Sequence, residues 1–451
     1  MRTVILADEA ELVVECAALA RDLNLDVEVE FGADPIADAH GHLDRVDAIG
    51  MVFAGVPDLH AFAALARVAR GRGSRVFAAI LGARQASLDW VPLARDLGVV
   101  AVDETAPLIA ALAIAGAGID RPWAISLSGL PRADRERFAH LGHLRQSGGG
   151  WVSRANPTQL AIARERTAPA VLVGEPRDME AAIVAFHAAQ ASSRNAPAVR
   201  ANEGALGAVR TTLFGPKRTL SDPASKGALS AYGVRTPSEE LCASPSRAAN
   251  EASRLGFPVR IAIASPDLRV WDHPDLAVAG VENAAQVREV YRELMAAAEA
   301  RARGVRILGV TVSTLPEPRA LLRVRISPLG DGEALAMVGF ADAHGVAAGD
   351  HTHTVLPLTP ARLERVLARL AGVDLLFGGA LSERKRLVES LADLLTRAAE
   401  LVIDNADAIE AVEIDPLAVL YDGTAEARDA AIHVTDRFER EMEAVPTRSA
   451  S

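Results

Sequence analysis

The chain has 451 residues, half of them apolar, with 48 basic against 59 acidic residues and a formal net charge of −11. That length suits about three domains with sizeable cores. The acidic balance and an aromatic content of only 4% argue against a broad, ring-lined surface for phosphate backbones, so nucleic acid is excluded as a partner. Cys16 and Cys242 belong to no CxxC pair or His-rich cluster and read as buried, inert thiols in a reducing compartment. The apolar run at the amino terminus is too short for a signal peptide, and the longest one, near Leu108 to Ile119, is too short for a membrane span. A cytoplasmic protein with no membrane partner is expected.

In chain order, Thr3–Ala7 reads as a strand and Glu9–Leu23 as a helix, with Leu12, Val13, Cys16, Leu19 and Ala20 at helical spacing. Strands are expected at Asp26–Glu30, Asp47–Ala54, Arg75–Leu81 and Val99–Val102. Helices are expected at Leu59–Arg70, at Trp90–Leu97 behind an Asp89 N-cap, and from about Ala106. Such alternation predicts a parallel sheet covered by helices over residues 1–120. His40 and His42 flank Gly41 in what reads as a loop. Residues 121–190 read as a small α/β unit, with strands at Pro122–Ser128 and Pro169–Gly174, helices at Arg132–His140 and Met179–Ala191, and a glycine run at Gln146–Gly150. Residues 191–218, rich in Ser, Asn, Pro and Gly, read as a linker.

Residues 219–435 form the third expected domain. Ser221-Asp222-Pro223 and Ser244-Pro245 are helix starts with proline just inside. Strands are expected at Val259–Ala264, Val305–Ser313, Ala320–Ile326, Ala334–Gly339 and Ile409–Ile414. Helices are expected at Ala284–Arg303, Pro360–Leu370 and Ser382–Asp404. Asp422-Gly423 reads as a hairpin turn before a last strand through Ile432, and residues 436–451 as a helical tail that decays into disorder.

Several strings in this third domain resemble the ATP-grasp half of the NDP-forming acyl-CoA synthetases, the superfamily of ADP-forming acetate–CoA ligases and succinyl-CoA synthetases. They are Leu220 to Lys226 with Ala231-Tyr232-Gly233-Val234, then Gly256-Phe257-Pro258-Val259 with Ser265-Pro266-Asp267, Val355-Leu356-Pro357-Leu358-Thr359, Glu413-Ile414-Asp415-Pro416-Leu417, and Asp429-Ala430-Ala431-Ile432. They come in the family's order and span about half the chain. Residues 1–120 resemble the flavodoxin-like ligase domain of the same enzymes. The fold class implied is α/β: flavodoxin-like parallel-sheet domains followed by a carboxy-terminal ATP-grasp domain. No Gly-rich strand-to-helix loop marks a CoA-binding Rossmann domain, and no Ser-His-Thr-Gly phosphohistidine segment is present.

The resemblance implies ATP or ADP with Mg²⁺ as cofactors, with CoA left open, and a nucleotide or acyl-CoA ligand. Lys226 and Arg260 stand as the cofactor-binding cations. Glu413 and Asp415, two apart on one strand and so on one face, could share a Mg²⁺ with Asp429 on the next strand; the alternative is solvated carboxylates at strand ends. The departures lie at the nucleotide. The family's phosphate-neutralising Lys on the strand after the G-F-P turn falls at Ala262, between Ile261 and Ile263. Arg260, on the same strand face, is the cation that could replace it. The adenine-contacting pair becomes Ser313-Thr314, the Gly-Leu-Gly-Gly loop becomes Gly339-Phe340-Ala341-Asp342, and the Glu beyond it becomes Val346. Asp350-His351-Thr352-His353 could hold a metal, with Asp350 or His344 helping, or carry a phosphoryl group, but reads first as a polar stretch. His140, His143 and Arg137 read as surface polarity.

Two functional readings stay open. One is a diverged ligase component that binds nucleotide or acyl-CoA, is impaired in the full reaction, and works with a partner chain. The other is a pseudoenzyme, a scaffold or ligand-sensing partner subunit.

Overall fold

The computed structural model describes residues 1–85, 88–119, 125–138, 150–156, 158–164, 170–193, 203–301, 304–341, 349–378 and 381–435. They form two compact units, Met1–Ala196 and Pro197–Ser451. The expected tail at 436–451 and the residues His140, His143, His344, Val346 and Asp342 lie outside the described residues, as does most of the glycine run before Gly150. Among the described residues no helix is long and apolar enough to cross a membrane.

The first unit opens with β1 (Thr3–Ala7), α1 (Ala10–Asp22), β2 (Glu28–Phe31), α2 (Pro35–His42), β3 (Ala48–Phe53), α3 (Leu59–Arg72), β4 (Arg75–Ile80), α4 (Trp90–Asp96), β5 (Val100–Val102) and α5 (Thr105–Gly116). The strands form one parallel sheet in the order β2-β1-β3-β4-β5, the flavodoxin-like doubly wound order. Buried on both faces, β1 and β3 are continuously apolar, as parallel strands are. Two sequence expectations change here. His40 and His42 lie on α2, whose start at Asp34-Pro35 is capped by Asp34 accepting from the amides of Ile36 and Ala37, both at 3.1 Å; this start outweighs the poor helix propensity of Gly41. Asp89 precedes α4, but its side chain caps no amide.

A second sheet follows: β6 (Ile125–Gly129), β7 (Gly150–Arg154), β8 (Leu160–Ala163) and β9 (Val171–Gly174), in that order, with α6 (Arg132–Arg137) and α7 (Pro176–Ser193). The sequence reading missed β7 and β8, which are too short to declare a period. Helix α5 packs against β3, β4, β5 and β9 and against α1 and α7. That position explains why every residue from Leu108 to Ala115 is buried: a helix apolar all round needs cover all round.

The second unit begins at α8 (Glu203–Leu213), inside the stretch read as a linker. Its Ala205, Val209 and Leu213 enter the core, and Arg210 makes a two-pronged pair with Asp407 at 3.0 and 2.6 Å. Then come β10 (Arg218–Thr219), α9 (Asp222–Ala231), β11 (Glu239–Cys242), α10 (Pro245–Leu255), β12 (Val259–Ala264), β13 (Ala277–Val281), α11 (Ala284–Arg301), β14 (Gly309–Ser313), β15 (Pro318–Gly330), β16 (Glu333–Phe340), β17 (His351–Leu356), α12 (Pro360–Leu367), α13 (Val373–Phe377), α14 (Leu381–Asp404), β18 (Ile409–Leu420), β19 (Ala425–Ala427) and β20 (Ala430–Val434). A small antiparallel sheet runs β11-β14-β12-β13, and a large one β10-β20-β18-β15-β16-β17 with β19 on β18.

Each sheet packs one apolar face against helices. Val259, Ile261 and Ile263 of β12 pack with Val310 and Val312 against α10 and α11, so alternation turns Arg260 and Ala262 to the opposite face. In the large sheet Leu322, Val324, Ile326, Val412 and Ile414 pack on α14, which turns Arg323, Arg325 and Glu413 the other way.

Candidate functional site

The five residues singled out in the sequence fall into two neighbouring groups. The first is built on the start of α9. Its i, i+3 and i+4 positions, Asp222, Ser225 and Lys226, share a face that meets the turn between β19 and β20. Asp222 accepts from the Ala430 amide at 2.8 Å, and Ser225 accepts from the Ile432 amide at 3.1 Å. Lys226 is 3% exposed. Its ammonium lies 2.6 Å from Asp222, donates to the Arg428 carbonyl at 3.0 Å, and donates to Glu239 on β11. Burial alone would lower this amine, but the charges of Asp222, Glu239 and Asp429 outweigh it and hold it above the usual lysine range. Burial pushes Asp222 up to about 7 against the pull of Lys226, and raises Glu239 in the same way.

Arg260 reaches from β12 to the same turn. It donates to both oxygens of Asp429, at 3.0 and 2.8 Å, with the two side chains 11% and 6% exposed. This is the two-pronged geometry that makes Arg–carboxylate pairs strong. Arg428, one residue earlier, donates to Glu426 at 3.1 Å and to the Pro316 carbonyl. Ala262 is buried beside Arg260, opposite Thr311 of β14.

The second group lies on the open face of the large sheet. Glu413 is opposite Arg325 in the β15–β18 register and is bonded by it. Arg269 donates to it at 3.2 Å, and His433 of β20 sits at 3.1 Å. The His433 contact, helped by Arg325 and Arg269, lowers the Glu413 carboxyl to about 2. Beyond Ile414 the register shifts: Asp415 and Pro416 together face Arg323, a β-bulge of the kind that re-aims side chains. The Asp415 amide donates to the Asp429 carbonyl at 3.0 Å. Burial pushes the Asp415 carboxyl up to about 6, with Arg323 pulling down and Asp429 and Glu413 pushing up.

The turn after β19 thus brings Asp429 beside Asp415, while Glu413 is held by Arg269, Arg325 and the His433 ring. Among the described residues, no three His, Cys, Asp or Glu side chains converge as a metal ion would need. On β17, His351 and His353 do share a face, their rings edge-to-face at 5.3 Å. Asp350 does not join them: it accepts from the amides of Ala371 and Gly372 at 2.8 and 2.9 Å and so anchors the segment before α13. Asp222, Glu239, Arg269, Arg325 and His433 were missed as members of the site. Only Asp222, four residues before Lys226 on one helix, carried a readable signal.

Residues 211–434 match the family model of the ATP-grasp domain. The β subunit of ADP-forming acetate–CoA ligase II from Pyrococcus furiosus is 20% identical over 219 residues, which is 49% of this chain and 92% of that one. The ADP-forming acetate–CoA ligase II of Archaeoglobus fulgidus is 26% identical over 218 residues, 48% of this chain but only 31% of the relative. Among solved structures, the dinucleotide-forming acetyl-coenzyme A synthetase 1 of Ca. Korarchaeum cryptofilum, in complex with coenzyme A and Ca-AMPCP, aligns at 22% identity with a TM-score of 0.43, over 48% of this chain and 93% of that chain. Residues 211–434 are therefore an ATP-grasp domain, similar in sequence to ADP-forming acetate–CoA ligases.

Proposed function

We propose that this chain is a diverged component of carboxylate–CoA ligase ancestry that does not transfer phosphate between a nucleotide and an acyl group by itself. The observation that carries this reading is the face of β12. Ala262 stands where the family's resemblance calls for a phosphate-neutralising lysine, and Arg260, the nearest cation on that face, is paired with Asp429 through both terminal nitrogens. A triphosphate needs fixed, available cations. Lys226 adds none, since its three donors have Asp222, Glu239 and the Arg428 carbonyl as partners. The metal ligands fit no better: Glu413 and Asp429 are both neutralised by arginine, which leaves Asp415 as the acidic group without a charged hydrogen bond. The residues present do not fit a magnesium nucleotide, and no catalytic step is assigned to one.

The test is direct. The purified chain is given acetyl-CoA, ADP, phosphate and Mg²⁺, and formation of ATP, acetate and CoA is followed beside a calorimetric titration of Mg²⁺-ATP. Neither turnover nor binding below the millimolar range is expected. Turnover, or micromolar binding abolished by Asp415→Ala, would overturn the reading in favour of a working ligase component.

A partner chain is the second element of this reading. Two relatives aligned over nearly their whole length are β subunits by name, which supports a role for residues 211–434 inside a multi-chain assembly. Adding a chain that supplies CoA-binding and phosphohistidine segments to the same assay separates the two cases. Turnover only in the mixture would make this chain an active subunit, and none in either would favour the scaffold or ligand-sensing role.

A further inference from the structure

We propose that Asp429 is a built-in occupant of an oxyanion site: Arg260, flanked by Ala262, forms a cradle for one phosphoryl or carboxylate group, and the Asp429 carboxylate fills it in place of a ligand. This rests on the reading above, that the site does not hold nucleotide as it stands.

Four observations carry it. The Arg260 guanidinium presents two parallel N–H groups, and both Asp429 oxygens accept them, at 3.0 and 2.8 Å. That is the geometry in which arginine grips any carboxylate or phosphate. The pair joins two sheets: Arg260 lies on β12 of the small one and Asp429 at the entry to β20 of the large one. The lysine and glutamate next to it repeat the span, since Lys226 on α9 donates to Glu239 on β11. Finally, the side chains beside Arg260 on the same strand face are small and buried: Ala262 and Ala264 on β12, with Thr311 and Ser313 opposite on β14. Small residues beside the guanidinium leave width for a compact anion once Asp429 withdraws.

Asp429 is tethered through its backbone by the Asp415 amide and by Lys226 at the preceding carbonyl. Its carboxylate is thus presented to Arg260 at high effective concentration, and an external anion must compete with it. Removing the competitor restores the cradle. Neutralising Asp429 is expected to raise affinity for inorganic tripolyphosphate about tenfold to a hundredfold, the range that one hydrogen bond to a charged group supplies.

The experiment titrates tripolyphosphate, and separately acetate, into four proteins at low ionic strength: the native chain, Asp429→Asn, Arg260→Met and the double variant. Circular dichroism verifies their folds. A gain in Asp429→Asn that disappears in the double variant is the expected result, and no gain, or a gain that survives loss of Arg260, overturns the proposal. Should the Asp429 variant fail to fold, phosphorus NMR on the native chain and Arg260→Met decides instead. Weak broadening of the tripolyphosphate signal by the native chain alone supports the cradle, and equal or absent broadening in both overturns it. Native protein binding Mg²⁺-ATP tightly would instead refute the functional reading, an outcome distinct from either. The acetate arm separates a carboxylate site from a phosphoryl one.

Discussion

Replacing Lys226 by Met tests whether the buried charges at the head of α9 are a structural clamp. The side chain is 3% exposed and its ammonium meets Asp222, Glu239 and the Arg428 carbonyl. Met keeps much of the volume and removes the charge, leaving two carboxylates and a carbonyl without their cation. Breaking a buried, hydrogen-bonded ion pair by removing one member costs about 3–5 kcal/mol. At about 2–4 °C per kcal/mol for a unit of this size, the melting point should fall by about 6–20 °C. The loss should depend on pH. Burial already holds Asp222 up to about 7, and Glu239 above its usual value. A carboxyl raised in the folded state contributes stability that is complete below its unfolded value, about 4, and is lost as pH rises through the folded one. Without Lys226 the rise is greater, so the variant's deficit should be widest near pH 8 and narrow towards pH 5. Thermal melts by far-ultraviolet circular dichroism at both pH values measure it. A fall of less than about 2 °C, smaller than the lower bound from the same relation, or an equal fall at both pH values, would refute the clamp.

Two more substitutions test neighbouring claims. Glu413 has its carboxyl lowered to about 2, so it contributes stability present above its unfolded value and lost as pH falls through 2. Glu413→Gln should therefore flatten the acid limb of a urea-midpoint profile below pH 4.5; because Arg269 and Arg325 are half-exposed, the effect should be about 1 kcal/mol, and an unchanged limb would contradict it. Gly309 has φ +134°, and a Cβ there would lie 2.3 Å from the Cys242 carbonyl oxygen. Gly309→Ala should cost about 2–4 kcal/mol in urea unfolding, while the same change at Gly207, where a Cβ meets nothing, should be neutral or stabilising.

What could be read in advance follows from what is local. The alternation Val259-Arg260-Ile261-Ala262-Ile263 marks β12 end to end, and it also says that Arg260 and Ala262 share a face. Ser221-Asp222-Pro223 marks the start of α9, and the same helix geometry puts Asp222 beneath Lys226. The parallel sheet of the first unit was legible for the same reason, because a central strand such as β3 is buried on both faces and so continuously apolar. Helix α8 was not, because a stretch rich in Ser, Asn and Pro precedes it and its stability comes from packing Val209 and Leu213 into a core formed by distant strands. The partners of the charges were not legible either. A lysine after serine at a helix start, and two acidic residues on one strand, present the same pattern whether they meet phosphate and magnesium or one another. The choice lies in contacts spanning 169 residues for Arg260 and Asp429, and 144 for Arg269 and Glu413. Periodicity assigns a face to each of these groups but not the charge that faces it. Arg260, on the same strand face as Ala262, is therefore ambiguous in sequence, and its freedom is decided by Asp429. If Asp429 can be displaced, one carboxylate decides whether Arg260 is free to hold an anion; if not, the pair is a fixed part of the fold.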